Sequence, residues 1–160
     1  MAVSAYEVIS TQTLGSAAAS VTFSSIPQTY TDLVLITSSA GSADVDIFGR
    51  LNGDTGSNYS GTRVYGNGSV AASDRESSQT RMQLGVSRSA QTTNILQINN
   101  YSNTTTYKTV FNRSNEAGYS TIAWVCLWRS TAAISTVLLY PASGNFNTGS
   151  TFTLYGIKAA

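Results

Sequence analysis

The sequence predicts an all-β fold, an antiparallel β-sandwich of jelly-roll type with about eight to ten strands and no substantial helix. Three observations lead to this prediction. Apolar and polar residues alternate with a period of two, turn-forming residues interrupt the alternation about every ten positions, and no long segment has helical apolar spacing. Many short strands without helices are typical of sandwiches and barrels.

The segments around Val45 and Met82 alternate most clearly. Val45, Ile47 and Leu51 share one predicted face, opposite Asp46 and Arg50. The second segment, from Thr80 to Val86, is predicted to turn Met82, Leu84 and Val86 inward and Arg81 and Gln83 outward. Including weaker candidates, strands are expected near residues 5–12, 19–24, 32–39, 44–51, 62–66, 79–88, 93–101, 106–113, 119–129, 133–140 and 150–158.

Three further segments are apolar on both faces: 33–36, 122–128 and 134–140. A strand of this kind lies between two packed layers, or between its own core and a neighbouring subunit. We therefore take Trp124, Trp128, Leu139 and Tyr140 as candidates for contact with a partner subunit. The alternative for the tryptophan pair is an ordinary place in the core, and an exposed pair could instead stack on a sugar ring.

The longest predicted loop runs from about Gly53 to Ser78 and includes one short strand near 62–66. Tyrosine together with Asn and Ser is the composition of adaptable recognition loops. The candidate recognition residues in this segment are Asn58, Tyr59, Arg63, Tyr65 and Asn67. Such a loop could equally be an arm that grips a neighbouring subunit.

Composition excludes several classes of function. The chain has 160 residues, no histidine and a net charge of +1. Ser-His-Asp triads, Cys-His dyads and histidine-bearing zinc sites are therefore impossible. Nine basic residues scattered along the chain form no stripe for phosphates, so we expect no nucleic-acid partner. No apolar run is long enough for a membrane helix, so we expect no membrane partner, and no signal peptide is visible.

The remaining chemical candidates have simpler explanations. Asp44, Asp46, Asn52 and Asp54 supply oxygen ligands, but their spacing does not match an EF-hand, so we predict no metal and no cofactor. The same carboxylates could form a glycosidase pair, although no other acid is close in sequence. Cys126 has no histidine to activate it and lies in the most apolar segment, so we expect a buried core residue. The prediction is that the protein is not an enzyme.

Four segments resemble small virion structural proteins of tailed bacteriophages. They run from Ser25 to Leu35, from Asn52 to Ser60, from Leu127 to Ile134 and from Gly149 to Lys158. The resemblance implies a β-sandwich module, found in such phages as capsid decoration (cement) proteins and as parts of tail fibres or tail tips. It implies no catalytic residue.

We therefore expect a single domain over residues 1–160 that is made in the host cytoplasm and sits on the capsid exterior. Neither an N-terminal attachment segment nor a repetitive shaft is visible, which favours capsid over tail. Expected partners are further copies of the chain, with a homotrimer favoured, and the major capsid protein or other virion proteins. The alternative is a tail-fibre or tail-tip module that binds a host receptor or glycan.

Overall fold

The computed structural model describes residues 5–158, and within them the fold is an antiparallel β-sandwich of two sheets. The first four and last two residues of the predicted domain lie outside the described part. No helix long and apolar enough to cross a membrane occurs between residues 5 and 158. The twelve strands are β1 (Tyr6–Thr13), β2 (Val21–Phe23), β3 (Asp32–Ser39), β4 (Val45–Leu51), β5 (Tyr59–Gly66), β6 (Ala71–Gln79), β7 (Met82–Ser87), β8 (Thr92–Ile98), β9 (Lys108–Glu116), β10 (Ser120–Trp128), β11 (Val137–Pro141) and β12 (Thr151–Ile157).

Two sheets of unequal width form the sandwich. The larger has eight strands in the order β1-β12-β3-β8-β9-β10-β5-β6, and the smaller has four in the order β2-β11-β4-β7. The strands within each sheet pair antiparallel. Because four strands cannot cover eight, part of the large sheet's inner side lies beyond the core.

The core follows from the alternation seen in the sequence. In β10, Ile122, Trp124, Cys126 and Trp128 are buried between the sheets. The intervening residues Thr121, Ala123, Val125 and Leu127 face outward and are exposed or half-buried. The prediction of an all-β sandwich without helix is confirmed. The sequence could predict it because period-two patterning sets which side chains face the partner sheet.

The expected number of strands was too low, and the predicted long loop between Gly53 and Ser78 was wrong. That segment contains β5 and β6, two strands of a hairpin whose turn is closed by the side chain of Asn67. Its Oδ1 accepts hydrogen bonds from the backbone N–H groups of Ser69 (3.1 Å) and Val70 (2.8 Å). Strand β6 lacks an apolar period because it lies at the sheet edge, where both of its faces contact solvent.

Strand β7 also departs from expectation. Gln83 was predicted to face outward, but every residue of β7 is buried. The strand is at the edge of the small sheet, and side chains from the large sheet's inner face bind its backbone. Asn112 Nδ2 donates to the Leu84 carbonyl, Cys126 Sγ contacts the Gln83 carbonyl at 3.4 Å, and the Val86 N–H donates to Ser114 Oγ at 3.3 Å. These contacts satisfy backbone groups that an edge strand otherwise leaves unpaired.

Candidate functional site

Two surfaces of the sandwich could serve a function. The first is the outer face, which we define as the side of the eight-stranded sheet turned away from the four-stranded sheet. The second is the inter-sheet cleft, a cavity between the two sheets beside β5 and β7. Its lining residues are Asp46, Arg63, Tyr65, Asn67, Val86, Arg88, Tyr119, Ser120 and Ile122.

The outer face carries a contiguous apolar patch on neighbouring strands. Phe111 of β9 lies directly opposite Val125 of β10, and Ala123 lies opposite Val64 of β5. Phe111, Val125 and Val64 are 44%, 45% and 58% exposed. We call Val64, Phe111, Ala123 and Val125 the apolar patch. Single exposed apolar residues are ordinary, but a contiguous group of them is characteristic of an interaction surface.

Two arginines lie beside the apolar patch. A depression of about 440 Å³ beside it is lined by Arg75 and Arg129, with Val125 and Leu127 among its apolar residues. Arg129 is held by hydrogen bonds to Ser60 Oγ (3.1 Å) and the Ser57 carbonyl (3.2 Å). In the described part of the chain, neither arginine has a carboxylate within 4.0 Å. The outer face is therefore apolar at its centre and has a charged depression beside it, lined by Arg75, Arg129 and Glu76.

The inter-sheet cleft has a volume of about 240 Å³ and a mixed lining. The Arg88 guanidinium lies 3.7 Å from the centre of the Tyr119 ring, and the Arg63 guanidinium lies 4.9 Å from that of Tyr65. Both are cation–π contacts, which fix long side chains in one orientation. The cleft thus has preformed aromatic and hydrogen-bonding groups.

The cleft also contains buried polar atoms without partners. Ser120 Oγ and Arg88 Nε are inaccessible to solvent, and neither has a hydrogen-bond partner among residues 5–158. Unsatisfied buried polar groups are uncommon because each costs on the order of 1–3 kcal/mol. A ligand with hydroxyl groups would supply the missing partners.

Three of the four candidates for subunit contact are wrong. Trp124 and Trp128 are each 2% exposed, and Leu139 is equally inaccessible. They face the opposite sheet of their own chain, because alternation within β10 and β11 turns them inward. Tyr140 is half-buried and packs against the Arg50 guanidinium and the Phe48 ring. The outward residues of β10 are the ones that remain available to a partner.

The five predicted recognition residues separate into two groups. Tyr59 is fully buried, and its OH binds the backbone of Leu51, so it is not a surface residue. Burial raises the pKa of Tyr59 to about 12. Asn58 is half-buried and donates to the Asp54 carboxylate at 2.9 Å. In contrast, Arg63, Tyr65 and Asn67 all line the inter-sheet cleft.

The carboxylates considered for metal binding or catalysis have separate environments. Asp54 accepts hydrogen bonds from Trp128 Nε1 and the Gly56 N–H, and Asp44 lies 3.9 Å from Arg88. Asp46 lines the cleft. Within residues 5–158 no three Asp, Glu, Cys or His side chains are grouped as metal ligands would be. Cys126 is buried in the core, as predicted, and burial raises the pKa of its thiol to about 12.

Sequence reasoning missed Arg88, Tyr119 and Phe111. Arg88 and Tyr119 lie at the ends of the predicted strands 79–88 and 119–129, and only the packing of the two sheets brings them together. Phe111 carried a local signal, because it lies within the predicted strand 106–113 and faces away from Val110. An apolar residue on the polar side of an alternating strand indicates an exposed apolar contact.

Comparison with known proteins gives a weak structural similarity. No family model matches the chain, and no curated protein matches it. Among solved structures, the galectin LEC-6 of Caenorhabditis elegans matches with a TM-score of 0.38 and 9% identity. The alignment covers 90% of this chain and 94% of that chain.

Proposed function

We propose that the chain is a non-catalytic structural protein of a tailed-bacteriophage virion, a capsid decoration or cement protein that attaches through the apolar patch. The phage assignment rests on the four sequence segments described above. The observation that carries the mode of action is the contiguous exposure of Val64, Phe111 and Val125 on the outer face. Such a patch suits attachment to protein, since burying apolar area stabilises by roughly 25 cal/mol per Å².

The edges of the large sheet are less suited to attachment than its face. At one edge β6 carries Asp74, Arg75 and Glu76 in succession. At the other, the pairing of β1 with β12 contains an irregularity between Val8 and Ser10. Charges and bulges on edge strands oppose pairing with another chain. Contact through the outer face is therefore the favoured arrangement.

Shell stabilisation would follow from multivalency. In the proposed arrangement a homotrimer on the capsid exterior contacts several copies of the major capsid protein, and the modest affinities of the individual patches combine. A protein that binds the assembled shell more tightly than free subunits stabilises the shell by mass action. No chemical step is required of any residue.

The test is the number of copies per particle, measured by quantitative mass spectrometry of purified virions against the major shell protein. A ratio comparable with that of the shell protein supports decoration. A much lower ratio indicates the tail, and absence from the particle overturns both virion proposals.

Variants then test the surface. Phe111→Ser combined with Val125→Ser should lower the copy number and the heat resistance of the particle. The matched control is Val70→Ser, because Val70 is similarly exposed but lies in the β5–β6 turn. Equal incorporation of the unaltered chain, the double variant and the Val70→Ser control would exclude the apolar patch as the attachment surface.

A second candidate function is a tail-fibre or tail-tip module that binds a host receptor or glycan. The specific observation in its favour is the inter-sheet cleft, where Arg63, Tyr65 and Asn67 meet Tyr119. Under this alternative, Tyr119→Ala abolishes adsorption to host cells while particles stay intact. Under the decoration proposal, the same change leaves adsorption unaltered.

A further inference from the structure

We propose that the inter-sheet cleft binds one ring of a neutral sugar. The cleft offers about 240 Å³ enclosed by β4 and β7 on one side and β5 and the β9–β10 hairpin on the other. Pockets for drug-sized ligands span about 300–1,000 Å³. The cleft therefore accommodates a single ring and not a longer chain of atoms.

The charges in the cleft select against an anionic ligand. Arg63 is paired with Asp74 at 2.7 Å, and Arg88 lies 3.9 Å from Asp44. Asp46 also lines the cleft and acts electrostatically on Arg63. Each guanidinium thus already has a carboxylate neighbour, and a further carboxylate or sulfate would meet Asp46. A neutral ligand avoids that repulsion and still uses the free N–H groups.

The hydrogen-bonding groups match a polyol. Within the described part of the chain, Arg88 Nε is a donor without a partner, and Ser120 Oγ is a donor and acceptor without a partner, both buried. Asn67 uses its side-chain oxygen in the β5–β6 turn, which leaves its NH₂ group for a ligand. Adjacent hydroxyl groups on a sugar ring each donate and accept, so they satisfy such mixed positions.

The aromatic component suits the C–H face of a sugar. Tyr119 lines the cleft and remains 50% exposed, while its contact with the Arg88 guanidinium holds the ring in place. Tyr65 is half-buried and is held in the same way by Arg63. Tyrosine combines a rigid apolar surface with a polar tip at low entropic cost. Preorganised rings reduce the cost of ordering the site on binding.

This inference deepens the second candidate function and rests on it for a biological role, whereas binding itself is measured on the purified chain. Failure of virion incorporation and failure of sugar binding are therefore separate results. Incorporation is read from particle composition, and binding from the isolated protein.

The experiment is saturation-transfer NMR of the purified full chain with individual sugars. The neutral probes are glucose, galactose, mannose, N-acetylglucosamine and N-acetylgalactosamine, and the anionic probes are glucuronic acid and N-acetylneuraminic acid. We expect at least one neutral probe to bind and the anionic probes to bind more weakly. Tyr119→Ala should weaken binding about tenfold or more, which corresponds to about 1.4 kcal/mol. The control is Tyr107→Ala, because Tyr107 is about as exposed as Tyr119 but lies outside the cleft lining. This variant should bind the sugar as the unaltered chain does.

Backbone amide shifts of the unaltered chain provide a second measurement that does not depend on a variant folding. The bound sugar should shift the amides of residues 63–67, 86–88 and 119–122. The proposal is overturned if no neutral probe binds, if only anionic probes bind, or if Tyr119→Ala binds undiminished. Shifts confined to the outer face around Phe111 and Val125 would also overturn it.

Discussion

The indole Nε1 of Trp128 donates a hydrogen bond of 2.6 Å to the carboxylate of Asp54, 74 positions away in the sequence. The same carboxylate accepts from Asn58 Nδ2 at 2.9 Å and from the Gly56 N–H at 2.7 Å. The Trp128 ring stacks against Tyr59, with 6.3 Å between ring centres. Asp54 thus joins the β4–β5 turn to the end of β10, and its oxygens are occupied by structural contacts.

Asp54→Ala should destabilise the fold by about 2–3 kcal/mol, because it leaves the nearly buried indole N–H of Trp128 without an acceptor. Urea unfolding followed by tryptophan fluorescence measures the change. The control is Asp44→Ala, which removes an exposed carboxylate 3.9 Å from its arginine and should cost less. Equal losses in the two variants would contradict a special role for Asp54.

The carboxyl group of Asp54 should also contribute to the pH dependence of stability. Burial raises the pKa of Asp54, but hydrogen bonds from Trp128, Asn58 and the Gly56 N–H outweigh burial and bring the pKa below its ordinary value of 3.8. The unfolded chain therefore binds more protons in this range, so the contribution of Asp54 is complete above its unfolded pKa and is lost as the pH falls through the folded pKa. The free energy of unfolding, measured at a series of acidic pH values, should fall more steeply with decreasing pH for the unaltered chain than for Asp54→Ala. The same pH dependence of the free energy of unfolding in both proteins would contradict this expectation.

Gly85→Ala should destabilise by about 2–4 kcal/mol. Gly85 has φ +130°, and an added Cβ would overlap Asn94 Oδ1 and Ser114 Oγ on the facing sheet. Gly15→Ala is the matched control, since an added Cβ there meets nothing within 4 Å. Thermal unfolding of both variants tests the expectation, and similar melting temperatures would show that the sheets separate easily at Gly85.

Cys126 should resist thiol reagents in the folded protein. It is 1% exposed, and burial together with the nearby charge of Glu76 raises the pKa of its thiol to about 12. The reactive thiolate is therefore scarce at mildly alkaline pH. Labelling with a disulfide reagent should be negligible in buffer and complete in concentrated urea. Rapid labelling in buffer would mean that β10 opens locally in the native state.

The outcome for β10 and β6 shows how far local patterning reaches. In β10, alternation alone identified which residues share a face, because successive side chains of a strand point to opposite sides regardless of its neighbouring strands. It did not say that the inward face holds Trp124 and Trp128 while Val125 stays exposed. In β6 there was no pattern to read, since an edge strand with two solvated faces selects no apolar residue.

The sequence by itself determined the class of fold, the absence of histidine chemistry and the buried place of Cys126, because each depends on composition or on neighbouring residues. Only the tertiary structure decided the position of the two candidate surfaces. The inter-sheet cleft joins Asp46, Arg63, Arg88 and Tyr119 from four separate segments, and the apolar patch joins β5 to the β9–β10 hairpin, which is distant from it in the chain. The physical reason is that strand order and sheet packing arise from long-range pairing, for which a period of two carries no information.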